Sequence, residues 1–249
     1  MDSDMMMAYE AYLKNNGVSP NSSSFYMRNL RAVYNRAVEK GLTSQRFPFK
    51  HVYTGVEKTV KRAVPLKVIK RIKEMDFSMN PSFDFARDMF LMSFYTRGMS
   101  FVDMAYLRKK DLQNGVLSYR RRKTGQQLFI KWEKCMQEIV DKYDTSQSNY
   151  LLPIIKPFGD IDERTQYIYA AHNINRCLKI IGKELGLSVS LTLYVARHAW
   201  ASIAKSKNVP LSVISEGMGH DSEATTRIYL ASLDTVAIDK ANSMILKSL

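Results

Sequence analysis

The spacing of apolar residues predicts a chain built mainly from helices. Two helices are predicted near the N-terminus, over residues 2–16 and 19–40, and each is followed by a glycine that favours a helix end. In the second helix, one set of apolar residues recurs at helical spacing and is predicted to form the buried face. These residues are Tyr26, Leu30, Val33 and Ala37.

Residues 61–65, with the sequence KRAVP, are predicted to link two domains. Beyond this linker, apolar stripes predict further helices, including a long one over residues 164–185. The chain is long enough for two domains and a sizeable core. We therefore predict a small helical domain, residues 1–62, and a larger domain, residues 63–249.

Residues 115–132 alternate between apolar and polar side chains, which is typical of β-strands. The alternation continues on both sides of a Lys-Thr-Gly turn, so a β-hairpin is predicted with Lys123 at its tip. The predicted fold class is mainly α with a small β-hairpin or sheet, in which a helical domain precedes an α+β domain.

The net charge of the chain indicates which class of molecule it binds. The 249 residues include 37 Lys and Arg against 24 Asp and Glu, which gives a formal net charge of +13. Such a balance favours a polyanion, with nucleic acid first and an anionic membrane surface second. The sequence has no run of about 18 apolar residues and its N-terminus lacks the pattern of a signal peptide, so we expect a cytoplasmic protein without a membrane partner.

The two cysteines indicate neither a disulfide framework nor a metal site. Cys135 and Cys177 are isolated in the sequence, without the CxxC spacing of a zinc ligand pair. Both are expected to be reduced side chains, and we expect no metal and no cofactor.

Residues 191–230 carry the candidate chemistry. Tyr194, Arg197 and His198 stand at positions i, i+3 and i+4, which places them on neighbouring parts of one helix face. His220 follows a break between two predicted helices, and Tyr229 comes nine residues after it. A tyrosine, histidines and an arginine without a serine nucleophile, a carboxylate pair or a metal cluster indicate phosphate chemistry.

Three linked motifs in this stretch resemble those of the tyrosine recombinases, also called phage-type integrases. The motifs are Thr192-x-Tyr194-x-x-Arg197-His198, then Met218-Gly219-His220, then TTRIYL with Tyr229. The resemblance implies a DNA recombinase in which Tyr229 attacks a phosphodiester and forms a 3′-phosphotyrosyl bond. Arg197 and His220 would contact the phosphate, and Lys123 would protonate the departing 5′ oxygen.

The first arginine motif of that family departs from its usual form. Ser100 stands where the family's arginine belongs, and Ser100 and Asp103 are spaced as a helix capping box. The segment YTRGMSFVDMAYL resembles the integrases of Bacteroides-type mobile elements, in which the R-G-M-S form recurs. We therefore predict that Arg97 replaces the missing arginine, with Arg108 and the arginines at 120–122 as rivals.

Tyr194 is a second departure, because the family usually has histidine at this position. A phenol is a poor base near neutral pH but a competent hydrogen-bond donor. If a histidine assists the deprotonation of Tyr229, His198 is the neighbour to test.

The resemblance also implies the partners. Double-stranded DNA recombination sites would be gripped by surface arginines, and residues 1–62 loosely resemble the family's core-binding domain. The predicted DNA-contacting residues are Arg28, Arg31, Arg120, Arg121 and Arg122. A homo-tetramer on DNA, formed by exchange of a C-terminal helix over residues 236–249, and accessory DNA-bending proteins are further expectations. The protein would then associate with a bacterial nucleoid, and we expect no room for an N-terminal arm-binding domain.

Two other functions fit parts of the sequence, and the departures at Ser100 and Tyr194 also leave open a decayed recombinase that binds DNA without cutting it. A type IB topoisomerase uses similar chemistry as a monomer and religates the same strand. A non-catalytic regulator would use residues 201–229 as a helix-turn-helix and would form no covalent intermediate.

Overall fold

The computed structural model describes residues 1–57, 63–157, 161–231 and 246. The fold is mainly helical with one three-stranded antiparallel sheet, which confirms the predicted fold class. The helices are α1 (Ser3–Asn15), α2 (Pro20–Glu39), α3 (Leu66–Glu74), α4 (Pro81–Tyr95), α5 (Phe101–Ala105), α6 (Lys134–Asp141), α7 (Glu163–Glu184), α8 (Leu193–Ser206), α9 (Leu211–Gly217) and α10 (Glu223–Ala231). The strands are β1 (Leu112–Gln113), β2 (Val116–Arg120) and β3 (Gln127–Lys131), and a 3₁₀ turn (Lys109–Asp111) precedes β1.

The chain divides into two compact units, Met1–Thr59 and Val60–Leu249. The predicted domain boundary after residue 62 lies outside the described residues and stays a prediction. The predicted C-terminal helix over 236–249 also lies outside them, except for residue 246.

The first unit buries a face of α2 that overlaps the predicted one only in part, since Leu30 packs against the core of this unit as predicted. Tyr26 and Val33 are exposed, whereas Met27 and Tyr34 are buried in the small core of this unit. Both sets recur at helical spacing, so periodicity alone does not choose between them. The buried set is favoured because the Tyr34 hydroxyl donates to the carbonyl of Ser44 at 2.8 Å, which ties the following loop to the helix.

The second unit is built around α4, which packs against α3, α6, α7 and α8. Met89, Phe90 and Met92 have no exposed surface, as expected for a helix that is apolar on nearly every side. The predicted burial of this helix is therefore confirmed, and α4 carries the turn that leads into the candidate site.

One charged cluster is buried beside α4. Asp88 is 2% exposed, and its carboxylate accepts hydrogen bonds from Arg87 Nε at 3.0 Å and from the Tyr143 hydroxyl at 2.8 Å. Lys142, which follows α6, also donates to this carboxylate. The cluster fastens the end of α6 to α4.

The hairpin forms as predicted. Strands β2 and β3 pair with Leu117 opposite Ile130 and Tyr119 opposite Leu128, and these four side chains face the core. Strand β1, which pairs with β2, was not predicted because two residues are too few to show an alternation.

In the part of the chain that the structure describes, no helix has the length and apolar character needed to cross a membrane.

We expect Asp88→Ala to lower the free energy of unfolding of the second unit by about 2 kcal/mol, because the Tyr143 hydroxyl loses its acceptor while Arg87 and Lys142 are left with Asp84 as their carboxylate partner. Urea denaturation followed by tryptophan fluorescence measures this unit selectively, since both tryptophans, Trp132 and Trp200, lie within it. The control is Glu138→Ala, which breaks an exposed pair with Lys134 at 3.8 Å and should cost under about 0.5 kcal/mol. Equal effects of the two substitutions would show that the buried cluster does not stabilise the unit.

Candidate active site

Arg197, in α8, lies at the buried centre of the site, with 5% of its surface exposed. Its Nη1 donates a hydrogen bond to the carbonyl of Gly98 at 2.7 Å, and its Nη2 donates to the carbonyl of Met218 at 2.8 Å. These carbonyls replace water around a charge that is costly to bury without hydrogen bonds. The guanidinium therefore joins the turn after α4 to the turn after α9.

The turn after α4 consists of two residues with left-handed backbones, Arg97 at φ 61° and Gly98 at φ 75°. Glycine is required at the second position because a Cβ there would lie 2.7 Å from the Cα of Arg197. The Arg97 side chain extends toward the end of α9, with its Cδ 3.6 Å from where a Cβ on Gly217 would stand. Arg97, the predicted replacement arginine, thus belongs to the turn whose Gly98 carbonyl accepts a hydrogen bond from Arg197.

The pKa of the Tyr119 hydroxyl is affected by the charges of three arginines. Burial raises the pKa of Tyr119, and Asp103 raises it further, whereas Arg197, Arg121 and Arg97 act in the opposite direction. The charges of α8, the hairpin and the turn after α4 therefore all reach this buried hydroxyl.

His220 lies between α9 and α10 and is hydrogen bonded through both ring nitrogens. Its Nε2 lies 3.0 Å from Arg197 Nη2, and its Nδ1 lies 2.7 Å from Thr226 Oγ1. A guanidinium can only donate, so Nε2 accepts and Nδ1 carries the proton. Burial lowers the pKa of His220 to about 4, and the charges of Arg197, Arg121 and Lys123 act in the same direction. The ring is therefore neutral at physiological pH.

Tyr229, the predicted nucleophile, lies in α10, three residues after Thr226. Its side chain lies outside the described part of the structure. Thr226 has no exposed surface and contacts His220, so one helical turn separates the histidine's partner from the tyrosine backbone. Thr226 was not predicted, although its place one turn before the tyrosine was a usable signal.

Lys123 lies on the exposed hairpin turn, as predicted. Two of the three arginines that precede it in the sequence also have exposed positions. Arg120 donates to the carbonyl of Gly125 at 2.6 Å, and the Arg122 guanidinium lies 4.1 Å from the centre of the Tyr106 ring.

Arg121 differs from both neighbours. It is buried, with 8% of its surface exposed, and its Nη1 donates to the carbonyl of Gly219. Strand alternation turns this arginine inward while its neighbours face solvent.

Ser100 does not form the predicted capping box, and that prediction is wrong. Its Oγ donates directly to Asp103 Oδ2 at 2.6 Å, while Asp103 Oδ1 accepts from the backbone N–H of Arg122 at 2.9 Å. Asp103 thus uses its two oxygens to join α5 to the hairpin.

The two positions that depart from the family pattern line one cleft. Ser100 and Tyr194 both border a cavity of about 430 Å³ that also reaches Thr192 and Arg197. Tyr194 is 57% exposed. The small serine leaves open space beside the arginine.

His198 is placed differently from Tyr194, although the two rings touch edge to face with centroids 4.5 Å apart. His198 is 4% exposed and faces the interior with Arg197. The predicted shared helix face therefore holds for Arg197 and His198, whereas Tyr194 lies at its solvent edge.

In the first unit, Arg28 and Arg31 are exposed on α2. Arg31 Nη1 donates to Thr54 Oγ1 at 3.3 Å. Both guanidiniums are accessible to an anionic partner.

Among the described residues, no group of three or more His, Cys, Asp or Glu side chains is placed to hold a metal ion.

Family comparison covers nearly the whole chain. Residues 65–235 match the model of the phage integrase family, and residues 1–52 match the phage integrase SAM-like domain. No curated protein matches the sequence.

Solved structures share the fold at low sequence identity. A lambda integrase dimer bound to a COC′ core site superposes with a TM-score of 0.68 at 15% identity, over 92% of this chain and 64% of that one. The XerH site-specific recombinase bound to palindromic difH substrate gives 0.70 at 15% identity, over 98% and 72%. The Tn1549 transposon integrase in complex with a circular intermediate DNA gives 0.62 at 15% identity, over 92% and 80%.

This chain spans less than two thirds of the lambda integrase chain that it matches. Even so, the family model alone covers well over half of the 249 residues, including every motif around Arg197. The chain belongs to the phage integrase family, the tyrosine recombinases.

Proposed function

We propose that this chain is a site-specific DNA recombinase that cleaves and rejoins DNA through a 3′-phosphotyrosyl intermediate, for integration or excision of a mobile element. One observation carries the proposal: Arg197, His220 and Thr226 form a hydrogen-bonded series that ends on the helix bearing Tyr229. Family membership and fold support it, and neither favours the topoisomerase or the regulator.

In the cleavage step, the Tyr229 oxygen attacks phosphorus and forms a P–O bond while the bond to the 5′ oxygen breaks. The tyrosine proton leaves to a base, and Lys123 supplies a proton to the departing 5′ oxygen. The bond energy stays in the phosphotyrosyl link, so the reverse attack by a 5′ hydroxyl needs no ATP.

Arg197 and Arg97 hold the non-bridging oxygens in this proposal. A planar guanidinium offers paired N–H groups that match a phosphate, which an ammonium group does not. Arg97 acts in place of the arginine absent at Ser100, because its turn and the Arg197 guanidinium are in direct contact. The open cleft beside Ser100 gives the phosphate space to approach Arg197.

His220 orients Arg197 in this scheme. Its neutral Nε2 accepts from Arg197 Nη2, which fixes the guanidinium, and Thr226 fixes the ring. Tyr194, at the solvent edge of the cleft, donates a hydrogen bond to the DNA. His198 is retained as the candidate base for Tyr229.

Exposed arginines provide the sequence-independent grip on DNA. We assign Arg28, Arg31, Arg120 and Arg122 to phosphate contacts, in keeping with their exposure and with the net charge of +13. Arg121 is treated separately below.

We further propose that four copies assemble on DNA, exchanging the segment 236–249, and that accessory DNA-bending proteins assist them on a bacterial chromosome. The support is the apolar content of that segment, which includes Val236, Ile238, Ile245 and Leu246.

The first test is covalent trapping. Nicked duplexes covering the ends of the mobile element should give an SDS-resistant adduct with the wild-type protein and none with Tyr229→Phe, because the substitution removes the attacking oxygen. Tyr12→Phe, an exposed tyrosine on α1, is the matched control and should give the wild-type yield. DNA that shifts in a gel without any adduct would instead support a regulator.

The role of Arg97 is tested with Arg97→Gly, which removes the cation and also relieves its left-handed backbone. We expect cleavage at saturating DNA to slow by about 100-fold, or about 3 kcal/mol of transition-state stabilisation, without loss of thermal stability. The control is Lys131→Ala, which also removes one cation from the second unit, but at a position in β3 where the side chain is 79% exposed. If Arg97→Gly cleaved like the wild type while Arg120→Ala did not cleave, the replacement arginine would be Arg120.

A further inference from the structure

The two arginines that are buried in the described part of the chain donate hydrogen bonds to two consecutive backbone carbonyls. Arg197 donates to Met218 and Arg121 donates to Gly219, immediately before His220. They approach from different elements, α8 and the hairpin. The turn that presents His220 is therefore held from two sides.

Side chains of the hairpin pack directly against the backbone of this turn at Gly219. Gly219 has a left-handed backbone with φ 64°, and a Cβ on it would lie 2.9 Å from Leu128 Cδ1 and 3.2 Å from Arg121 Cδ. Glycine adopts this backbone without strain and leaves space for both side chains, which brings the Arg121 guanidinium to the carbonyl.

The position of Arg121 argues against a contact with the DNA backbone, because this residue lines neither the cleft that reaches Arg197 nor the cavity bordered by Arg120 and Arg122. Its exposed fraction is 8%, and in the described residues it has no ion pair that would cancel its charge. A phosphate on the outside of the hairpin is accessible to Arg120 and Arg122 instead.

The charge of Arg121 acts on the site. The charged groups that face His220 are Arg197 from α8, Arg121 and Lys123 from the hairpin, and Asp221 beside it. Three of these four groups are cations. One comes from α8 and two come from the hairpin, so the hairpin supplies more of the positive charge near His220 than α8 does.

We propose that Arg121 is a positioning residue for the cleavage reaction: by holding the Gly219 carbonyl, it locks the His220 turn to the hairpin that carries Lys123. This inference rests on the proposed function. Lys123 and His220 come from segments about a hundred residues apart, and the Arg121 to Gly219 hydrogen bond joins those segments directly.

The test compares Arg121→Met and Arg121→Lys with Lys131→Met, which removes a charge from the exposed side of the same hairpin. Full-length protein with isotope-labelled histidine side chains is titrated by NMR. The His220 signal is identified as the one that is missing from the spectrum of His220→Gln. Loss of a nearby cation favours the protonated ring, so Arg121→Met should raise the His220 pKa by about one unit. Arg121→Lys keeps the charge and should leave this pKa near the wild-type value, as should Lys131→Met.

Single-turnover cleavage of nicked duplex provides the second readout. At saturating DNA, Arg121→Met should be slower by about 30-fold and Arg121→Lys by about 10-fold, because the shorter lysine side chain does not place a donor where Arg121 Nη1 meets the Gly219 carbonyl. The Kd for DNA should change no more than it does in Lys131→Met.

A raised Kd for Arg121→Met, with the saturating rate and the His220 pKa of the wild type, would overturn the proposal and make Arg121 a DNA contact. If Arg121→Met does not fold, the slow cleavage of Arg121→Lys decides, and a wild-type rate there overturns the proposal. If the wild type forms no adduct, the proposed function fails. The His220 titration then still determines whether the Arg121 charge lies beside the His220 ring, independently of cleavage.

Discussion

The structure of the site depends on one buried cation, Arg197. Its guanidinium donates to carbonyls that belong to the turn after α4 and the turn after α9, and it also meets the His220 ring. A carbonyl accepts a hydrogen bond without cancelling the charge of its donor, so such partners keep a guanidinium in place and leave it attractive to an anion. The close approach of Gly98 to the Arg197 backbone follows from the same requirement.

This arrangement strains the backbone of Arg97. A left-handed backbone is strained for any residue with a Cβ, and Asn or Gly would adopt it more easily. An arginine in such a turn is therefore best explained by its side chain, which reaches the end of α9 beside the Arg197 contacts.

Much of the fold could be predicted because the signals were local. The helices follow from apolar spacing and glycine stops, and the hairpin follows from alternation around a Lys-Thr-Gly turn. The buried face of α2 could not be predicted, since two stripes fit equally and the loop bonded to Tyr34 decides between them. Arg197 and His220, which the structure brings into contact, were recognisable from their motifs, whereas the role of Tyr229 stays a prediction. Arg121 was not recognisable, because three consecutive arginines look alike in sequence and only Gly219, far along the chain, distinguishes the middle one.

That distance has a consequence for how activity appears during synthesis. Gly98 and Arg197 are 99 residues apart in the chain, and Arg121 and Gly219 are 98 apart. Contacts of such long range form late, after the intervening segments have collapsed onto α4. A nascent or partly folded chain can hold the hairpin or α4 before Arg197 meets Gly98 and Met218, so the proposed cleavage requires the complete fold of the second unit.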